Sequence, residues 1–344
     1  MKTYRLALIG FGNVGQGFAQ ILRDHGDTIA EETGAAFRIV AICDAQKGSI
    51  YQPDGYDPAQ LLNAVRADGN LSQLSAKARN MDAIQTIVES NADILVEMSF
   101  TDLKTGQPAM QYVDAAIKNK KHVVTSNKGP AALAYQALAE QARLYGVELG
   151  VEGTVMSGTP ALRLGKELLQ GSGITKIQGI LNGTTNFMLT RMAAGAPYEE
   201  ALQEAQALGY AEADPTGDVE GYDAAGKVII LAAVLMDTKI AMKDIDRTGI
   251  TAITPQDIQS AADHGEKWKL IGSLEKKDGK LVASVKPTRI PLSHPLAGVD
   301  GAVNAITYST TLMGDVTLIG AGAGRLETGF AILGDLLAIH RKLS

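Results

Sequence analysis

Short apolar runs alternate with longer stretches of helical spacing through the first 130 residues. The run "YRLALIG" (4–10) is separated by "GFGNVGQG" (10–17) from "FAQILRDHGDTIAEE", whose apolar positions recur at helical intervals. A second run, "FRIVAICD" (37–44), ends on an acid. "ADILVEMS" (92–99) and "HVVTSNKG" (122–129) each follow a helix-like segment. Short apolar runs between amphipathic helices predict strands of a parallel sheet with right-handed crossovers, an α/β class.

The pattern changes near residue 150. "GITKIQGILNGTTNFMLTRM" predicts a strand, a small polar turn and a helix, and "VIILAAVLM" (228–236) predicts a helix apolar nearly all round, hence buried. "KWKLIGSLEKKDGKLVASVKPTRI" (267–290) predicts an antiparallel hairpin turning at "KDGK". The tail "LIGAGAGRLETGFAILGDLLAIHRK" predicts a glycine turn and an amphipathic helix. Three segments are expected: 1–150 as one domain, 151–310 as an α+β domain, and 311–344 returning to the first. There are no repeats and no low-complexity linker.

Composition narrows the function classes. The 344 residues are 45% hydrophobic and 20% charged, enough apolar material for a sizeable core. With 32 basic against 38 acidic side chains the net charge is −6, and no basic block favours nucleic acid or an anionic membrane. One cysteine, Cys43, excludes an intramolecular disulfide and a cysteine-built zinc site. No apolar run is long enough for a membrane helix, and the first residues enter a strand directly instead of reading as a signal peptide. These features predict a soluble, cytoplasmic protein.

Gly10, Phe11, Gly12, Asn13, Val14 and Gly15 form a G-x-G-x-x-G turn between a strand and a helix. In that context the glycines allow a tight turn and close approach of backbone to a pyrophosphate, whose charge sits at the helix N-terminus. This predicts a Rossmann-type dinucleotide-binding domain. Asp44, closing the second strand, is placed to accept from a ribose 2′-hydroxyl, as NAD requires. It stands 29 residues beyond Gly15, against a usual spacing of about 20. Lys47 is near enough to meet the 2′-phosphate of NADP, so the cofactor remains NAD or NADP.

Three further stretches are polar in ways that suit ligands. "TSNKGP" (125–130) follows a strand, where open α/β sheets bind ligands, and makes Lys128 either a ligand cation or a surface lysine. "EGTVMSGTP" (152–160) and "NGTTN" (182–186) offer backbone groups and hydroxyls, as ordinary loops also do. The densest feature is "AEADPTGDVEGYDAAGK" (211–227), with Glu212, Asp214, Asp218, Glu220 and Asp223 beside Lys227. Asp218 is placed to cap a helix starting near Val219. Asp223 and Lys227, four apart, can face each other across one helical turn. A lysine leading into a buried helix loses water while carboxylates favour its charge, an opposition that can tune an ammonium for proton transfer. Glu212 and Asp214 precede the helix and suit a substrate ammonium. His294 in "HPLAG" is a rival proton donor but reads better as structural.

Over nearly its whole length the chain resembles homoserine dehydrogenase. The likeness rests on "GFGNVGQG", "HVVTSNKGPAALAY", "EGTVMSGTPAL", "GILNGTTNFML", "GYAEADPTGDVEGYDAAGKVIILA", "HPLAGVDGAVNA" and the final "GAGAG" with its "ET". The resemblance implies a Rossmann-type domain with a substrate-binding and dimerisation domain, a homodimer, and reversible NAD(P)-dependent interconversion of L-aspartate 4-semialdehyde and L-homoserine. It implies Lys227 as proton donor with Asp223 as partner, and Glu212 and Asp218 as holders of the substrate amino group. Lys128 would lie between nicotinamide and substrate, and Gly183, Thr184 and Tyr210 would line the substrate pocket. Ser99 and Gly322 join the glycine turn, Asp44 and Lys128 as cofactor-binding positions. Carbonyls of Glu152, Val155, Ser157 and Thr159 match a structural sodium site.

Two departures are small: "TSNK" replaces "TANK" and "GAGAG" replaces "GPGAG". The chain ends soon after its last helix, so no regulatory domain and no threonine feedback through one are expected. An NAD(P)-dependent dehydrogenase of another amino acid, and a non-catalytic dinucleotide sensor, are the alternatives; the lysine with its carboxylates argues against a sensor.

Overall fold

The computed structural model describes residues 1–344 and divides into two compact units. The first comprises Met1–Gly158 and Gly324–Ser344; the second is Thr159–Ala323.

The first unit is built on a seven-stranded sheet. Its strands are β1 (Lys2–Ile9), β2 (Ala35–Asp44), β3 (Gly48–Tyr51), β4 (Ala78–Arg79), β5 (Ile94–Glu97), β6 (His122–Thr125) and β7 (Leu149–Gly150). Their order is β4-β3-β2-β1-β5-β6-β7, parallel from β2 through β7, with β3 and β4 added antiparallel at one edge. The expected parallel strands all form. "ADILVEMS" is strand only over Ile94–Glu97 and "HVVTSNKG" only over His122–Thr125, so the chain has left the sheet before Ser99 and Asn127. Both faces are covered: Leu6, Leu8, Phe11, Phe18, Ile39 and Leu336 pack in one cluster, and Leu95, Val113, Ile117, Val123 and Leu138 in another. Burying such side chains contributes roughly 1.5–3 kcal/mol each.

The amphipathic tail folds as the helix Arg325–Leu343 and packs on the helix Asn13–Thr33 of the same unit. Gly17 permits the approach, since a Cβ there would run into the carbonyl of Arg325. The 151–158 segment stays with this unit, where Asp335 Oδ2 accepts from the Glu152 N–H at 2.9 Å.

The second unit has a six-stranded sheet of β8 (Ile174–Ile180), β9 (Asp246–Arg247), β10 (Glu266–Lys277), β11 (Lys280–Pro291), β12 (Val303–Thr310) and β13 (Gly314–Ala321). The order is β13-β12-β8-β10-β11-β9, antiparallel except for β11 with β9. The expected hairpin is β10–β11. Lys277 pairs with Lys280 around Asp278 and Gly279, both at positive φ (49° and 76°), as a two-residue turn with the twist of its strands requires. The hairpin β12–β13 has no counterpart in the sequence reading. The half-exposed, glycine-containing "GDVTLIGA" lacks clean alternation, and its pairing with β12 keeps residues 314–321 in this unit. The helix Tyr222–Leu235 is buried from Ala224 to Ala233, as its apolar run predicts, and meets β10 at Gly272, where a Cβ would lie 2.9 Å from Val228 Cγ2. No helix is long and apolar enough to cross a membrane.

Candidate active site

In the first unit the glycine turn joins β1 to the helix Asn13–Thr33. Gly10 has φ +92°, and a Cβ there would lie 2.5 Å from the Met98 carbonyl oxygen, so the turn tolerates only glycine. Gly15 is nearly as crowded, with a Cβ 3.0 Å from the Gly10 carbonyl. Gly12 differs: nothing lies within 4 Å of its Cβ position, and as N-cap it offers no side chain to the helix. Open space at an uncapped helix N-terminus, where Asn13 and Val14 begin the helix, suits a nucleotide pyrophosphate. The Phe11 ring is wholly buried in the core, so that residue can meet a cofactor through backbone alone.

Asp44 is bound into the same turn. Its Oδ2 accepts from Phe11 N at 2.7 Å, and its Oδ1 accepts from Gln46 N and Lys47 N, both at 2.9 Å. Lys47 Nζ stands 3.9 Å from Oδ1. Burial pushes the Asp44 carboxyl up, but the three backbone donors and the lysine outweigh it and leave the carboxyl below its ordinary value. These bonds use about three of its four acceptor positions. Asp44 therefore has a structural task in holding Phe11, and retains limited capacity for a ribose hydroxyl.

Ser99 follows β5, with its N–H donating to Glu97 Oε1 at 2.8 Å and its hydroxyl to the same oxygen. Lys128 is half-buried and opens the helix Lys128–Tyr145, capped by Asn127, whose Oδ1 accepts from Gly129 N at 3.0 Å. Both positions are at the carboxyl ends of adjacent parallel strands, where ligands of this sheet type bind. Glu152, Val155 and Ser157 lie in the turn that follows β7; Ser157 has φ +52° and its hydroxyl meets Thr328 Oγ1 at 2.8 Å. No group of three His, Cys, Asp or Glu side chains is arranged to hold a metal ion. Thr159 opens the second unit and donates its hydroxyl to the Ala321 carbonyl at 3.0 Å. Gly322, also in the second unit, lies against the buried Asn304 amide, where no Cβ would fit.

The second unit separates the five carboxylates. Lys227 is 6% exposed and donates to the Leu181 carbonyl at 2.6 Å, with Asp223 Oδ2 2.9 Å from its Nζ. Asp218 joins this group through Asn182, whose amide nitrogen donates to Asp218 Oδ1 at 2.6 Å and to Asp223 Oδ2 at 3.1 Å. Burial pushes the Asp218 carboxyl above its ordinary value; the Asn182 bond and the Lys227 ammonium oppose this, Asp223 reinforces it, and burial prevails. Asp218 caps no helix. The helix Tyr222–Leu235 opens at Gly221, with φ +78° and no side-chain cap, while the Asp218 carboxylate faces Asn182.

The other three acids take no part in these hydrogen bonds. Glu212 is exposed, and its carbonyl accepts from Gln206 Nε2 at 3.0 Å; Asp214 is exposed and accepts from Thr216 N at 3.1 Å. Glu220 accepts from Thr251 Oγ1 at 2.9 Å. Thr184 donates its hydroxyl to the Tyr210 carbonyl at 2.6 Å, and the Tyr210 ring meets Phe187 edge-on. Gly183 begins the helix Gly183–Ala193, where a Cβ would lie 3.0 Å from the Ala302 carbonyl. His294 is engaged structurally, its Nδ1 accepting from Leu296 N at 3.1 Å.

Asn182 is the residue that sequence reasoning passed over. Its Oδ1 caps the helix Gly183–Ala193 through Thr185 N at 2.9 Å while its nitrogen serves the two carboxylates. The capping half was visible in "NGTT"; the other half depends on contacts distant in sequence. The arrangement can present a buried ammonium beside two anions, the chemistry of proton delivery next to a cationic substrate group.

Comparison with known proteins agrees with this architecture. The profile described as homoserine dehydrogenase matches residues 160–337, and that of the homoserine dehydrogenase NAD-binding domain matches residues 10–152. The chain is 44% identical to the NAD(+)-dependent homoserine dehydrogenase of Pseudomonas canavaninivorans, covering 99% of this chain and 97% of that protein. Among solved structures, a homoserine dehydrogenase from Thiobacillus denitrificans is 33% identical, with TM-score 0.85 and coverage of 99% of this chain and 74% of that one. A hyperthermophilic archaeal homoserine dehydrogenase mutant in complex with NADPH is 29% identical, with TM-score 0.84 and coverage of 99% and 98%. With a nucleotide turn in one unit, a buried lysine among carboxylates in the other, and matches along nearly its whole length, the chain belongs to the homoserine dehydrogenase family of NAD(P)-dependent oxidoreductases.

Proposed function

We propose that the protein interconverts L-aspartate 4-semialdehyde and L-homoserine, a step of threonine, methionine and isoleucine biosynthesis, in the cytoplasm and as a homodimer. The observation that carries the chemistry is the buried Lys227 with Asp223 Oδ2 at 2.9 Å. When bound, the nicotinamide supplies or accepts the hydride. Lys227 holds the accompanying proton at Nζ. Of its three N–H donors, one meets Leu181 and one Asp223; the third is assigned to the substrate oxygen, which it protonates in reduction and from which it recovers the proton in oxidation.

Asp223, 2.9 Å from Nζ, orients the ammonium. Asp218 holds the substrate α-ammonium, with Glu212 as its second anion and Gly183, Thr184 and Tyr210 lining the pocket. The glycine turn 10–15, Asp44, Ser99, Lys128 and Gly322 serve the cofactor, and Lys128 also assists the substrate. Asp44 favours a free 2′-hydroxyl and thus NAD, while Lys47 supplies the cation that NADP would need. The Glu152, Val155, Ser157 and Thr159 carbonyls are assigned to a structural sodium ion.

The test is oxidation of L-homoserine with NAD or NADP, followed by absorbance of the reduced cofactor, with L-aspartate as control. Turnover of homoserine is expected. Turnover of aspartate with ammonia release, and none of homoserine, would replace this reading with that of an amino-acid dehydrogenase.

A further inference from the structure

Glu97 is a fully buried carboxyl group that the mechanism above does not use, and no cation accompanies it. It ends β5, beside Ile9 of β1 and Thr125 of β6. Its Oε1 accepts from the Ser99 N–H at 2.8 Å and from the Ser99 hydroxyl. Its Oε2 accepts from Thr125 Oγ1 at 2.8 Å. Thr125 Oγ1 in turn accepts from Asn127 N at 2.9 Å, which commits its own hydrogen to Glu97. Asn127 closes the ring by donating its amide to the carbonyls of Ser99, at 3.1 Å, and Phe100, at 3.0 Å, while its Oδ1 caps the helix that Lys128 begins. The result is a closed circuit from Glu97 through Ser99, Asn127 and Thr125 back to Glu97.

A buried acid without a cation is costly unless hydrogen bonds satisfy it. Burial pushes the Glu97 carboxyl up and the hydrogen bonds from Ser99 and Thr125 oppose this; through those bonds the group anchors the two segments that carry Ser99 and Lys128. We infer that Glu97 is a positioning residue for cofactor binding: its carboxylate, through Thr125 and Asn127, sets the placement of Ser99 and Lys128 at the carboxyl edge of the parallel sheet. This rests on the proposed function, in which those two residues serve the nicotinamide cofactor. Three donors converge on the carboxylate, so its role depends on its being an acceptor at both oxygens. Glutamine keeps the size but presents an NH₂ group to at least one of those donors.

The test compares Glu97→Gln, Thr125→Val and the double variant with the wild-type protein, measuring NADH and NADPH dissociation constants by fluorescence titration and folding by thermal melting. Lys121→Met is the control. Lys121 is buried at the amino ends of the same strands, where it donates to the carbonyls of Ser90 at 2.9 Å and Ala92 at 2.6 Å. Each ring variant is expected to weaken cofactor binding about tenfold, with the double variant little worse than either single, as for residues of one network. The control is expected to lose thermal stability and keep its affinity. Should Glu97→Gln fail to fold, Thr125→Val, which removes one arm of the ring, decides alone. Folded ring variants with wild-type affinity, or a control that loses as much affinity as they do, overturn the inference. A wild-type protein that binds neither cofactor removes the functional reading and this inference with it.

Discussion

The side-chain amide of Asn182 donates to Asp218 Oδ1 across 2.6 Å and, with the same nitrogen, reaches Asp223 Oδ2 at 3.1 Å. One neutral residue thus holds together two carboxylates that repel each other, next to the carbonyl of Leu181 that receives the Lys227 ammonium. The Asn182 bond acts against burial at Asp218. Replacing Asn182 with Ala therefore pushes the Asp218 carboxyl further up. If Asp218 must be ionised to hold the substrate ammonium, the acid limb of the kcat/KM profile for homoserine moves to higher pH. An acid limb at its wild-type position in Asn182→Ala would remove the carboxylate clamp from the account.

Lys227→Ala is expected to lower kcat by about 10²–10⁴, the usual contribution of a positioned acid or base. The NAD(P)H dissociation constant should stay unchanged. Steady-state rates and an equilibrium titration on one preparation separate the two quantities; a nearly normal kcat excludes Lys227 as proton donor.

Gly10 and Gly12 should respond differently to the same methyl group. Gly10→Ala puts a Cβ 2.5 Å from the Met98 carbonyl at φ +92° and is expected to cost about 1–3 kcal/mol of stability, read as a lowered Tm. Gly12→Ala meets no protein atom within 4 Å, so its Tm should hold, while cofactor affinity falls because the methyl occupies space left for the pyrophosphate. Unchanged affinity in Gly12→Ala would argue that the nucleotide does not approach this turn.

Asp44 carries a pH-dependent contribution to stability. Its folded-state value is lowered, so the stabilisation is present above the ordinary carboxylate value and is lost as pH falls through the lowered one. Asp44→Asn should therefore reduce stability at neutral pH and flatten the decline between those two values. Denaturant titrations across that range measure it, and parallel acid limbs for variant and wild type would contradict the assignment.

Much of this molecule was legible in its residues taken in order. Apolar runs between helical segments determined the parallel strands β1, β2, β5 and β6 of the first unit, though not the short β7, and the turn chemistry of Asp278–Gly279 determined the β10–β11 hairpin. The four-residue spacing of Asp223 and Lys227 determined their pairing, because both ride on one helix and meet across a single turn. These features rest on periodicity and local stereochemistry, which a sequence carries in full. The strand Gly314–Ala321 escaped because its half-exposed, glycine-containing run becomes a strand through pairing with Val303–Thr310.

The choice among five acids belonged to the tertiary structure. Asp218 joins Lys227 through Asn182, 36 residues earlier, while Glu212 and Asp214, closer to Asp218 in the chain, remain in water. The circuit around Glu97 likewise closes onto Thr125, 28 residues away. A side chain's partner at such separation depends on how sheets and helices stack, and its protonation depends on the water that stacking excludes. Neither is encoded by neighbours along the chain.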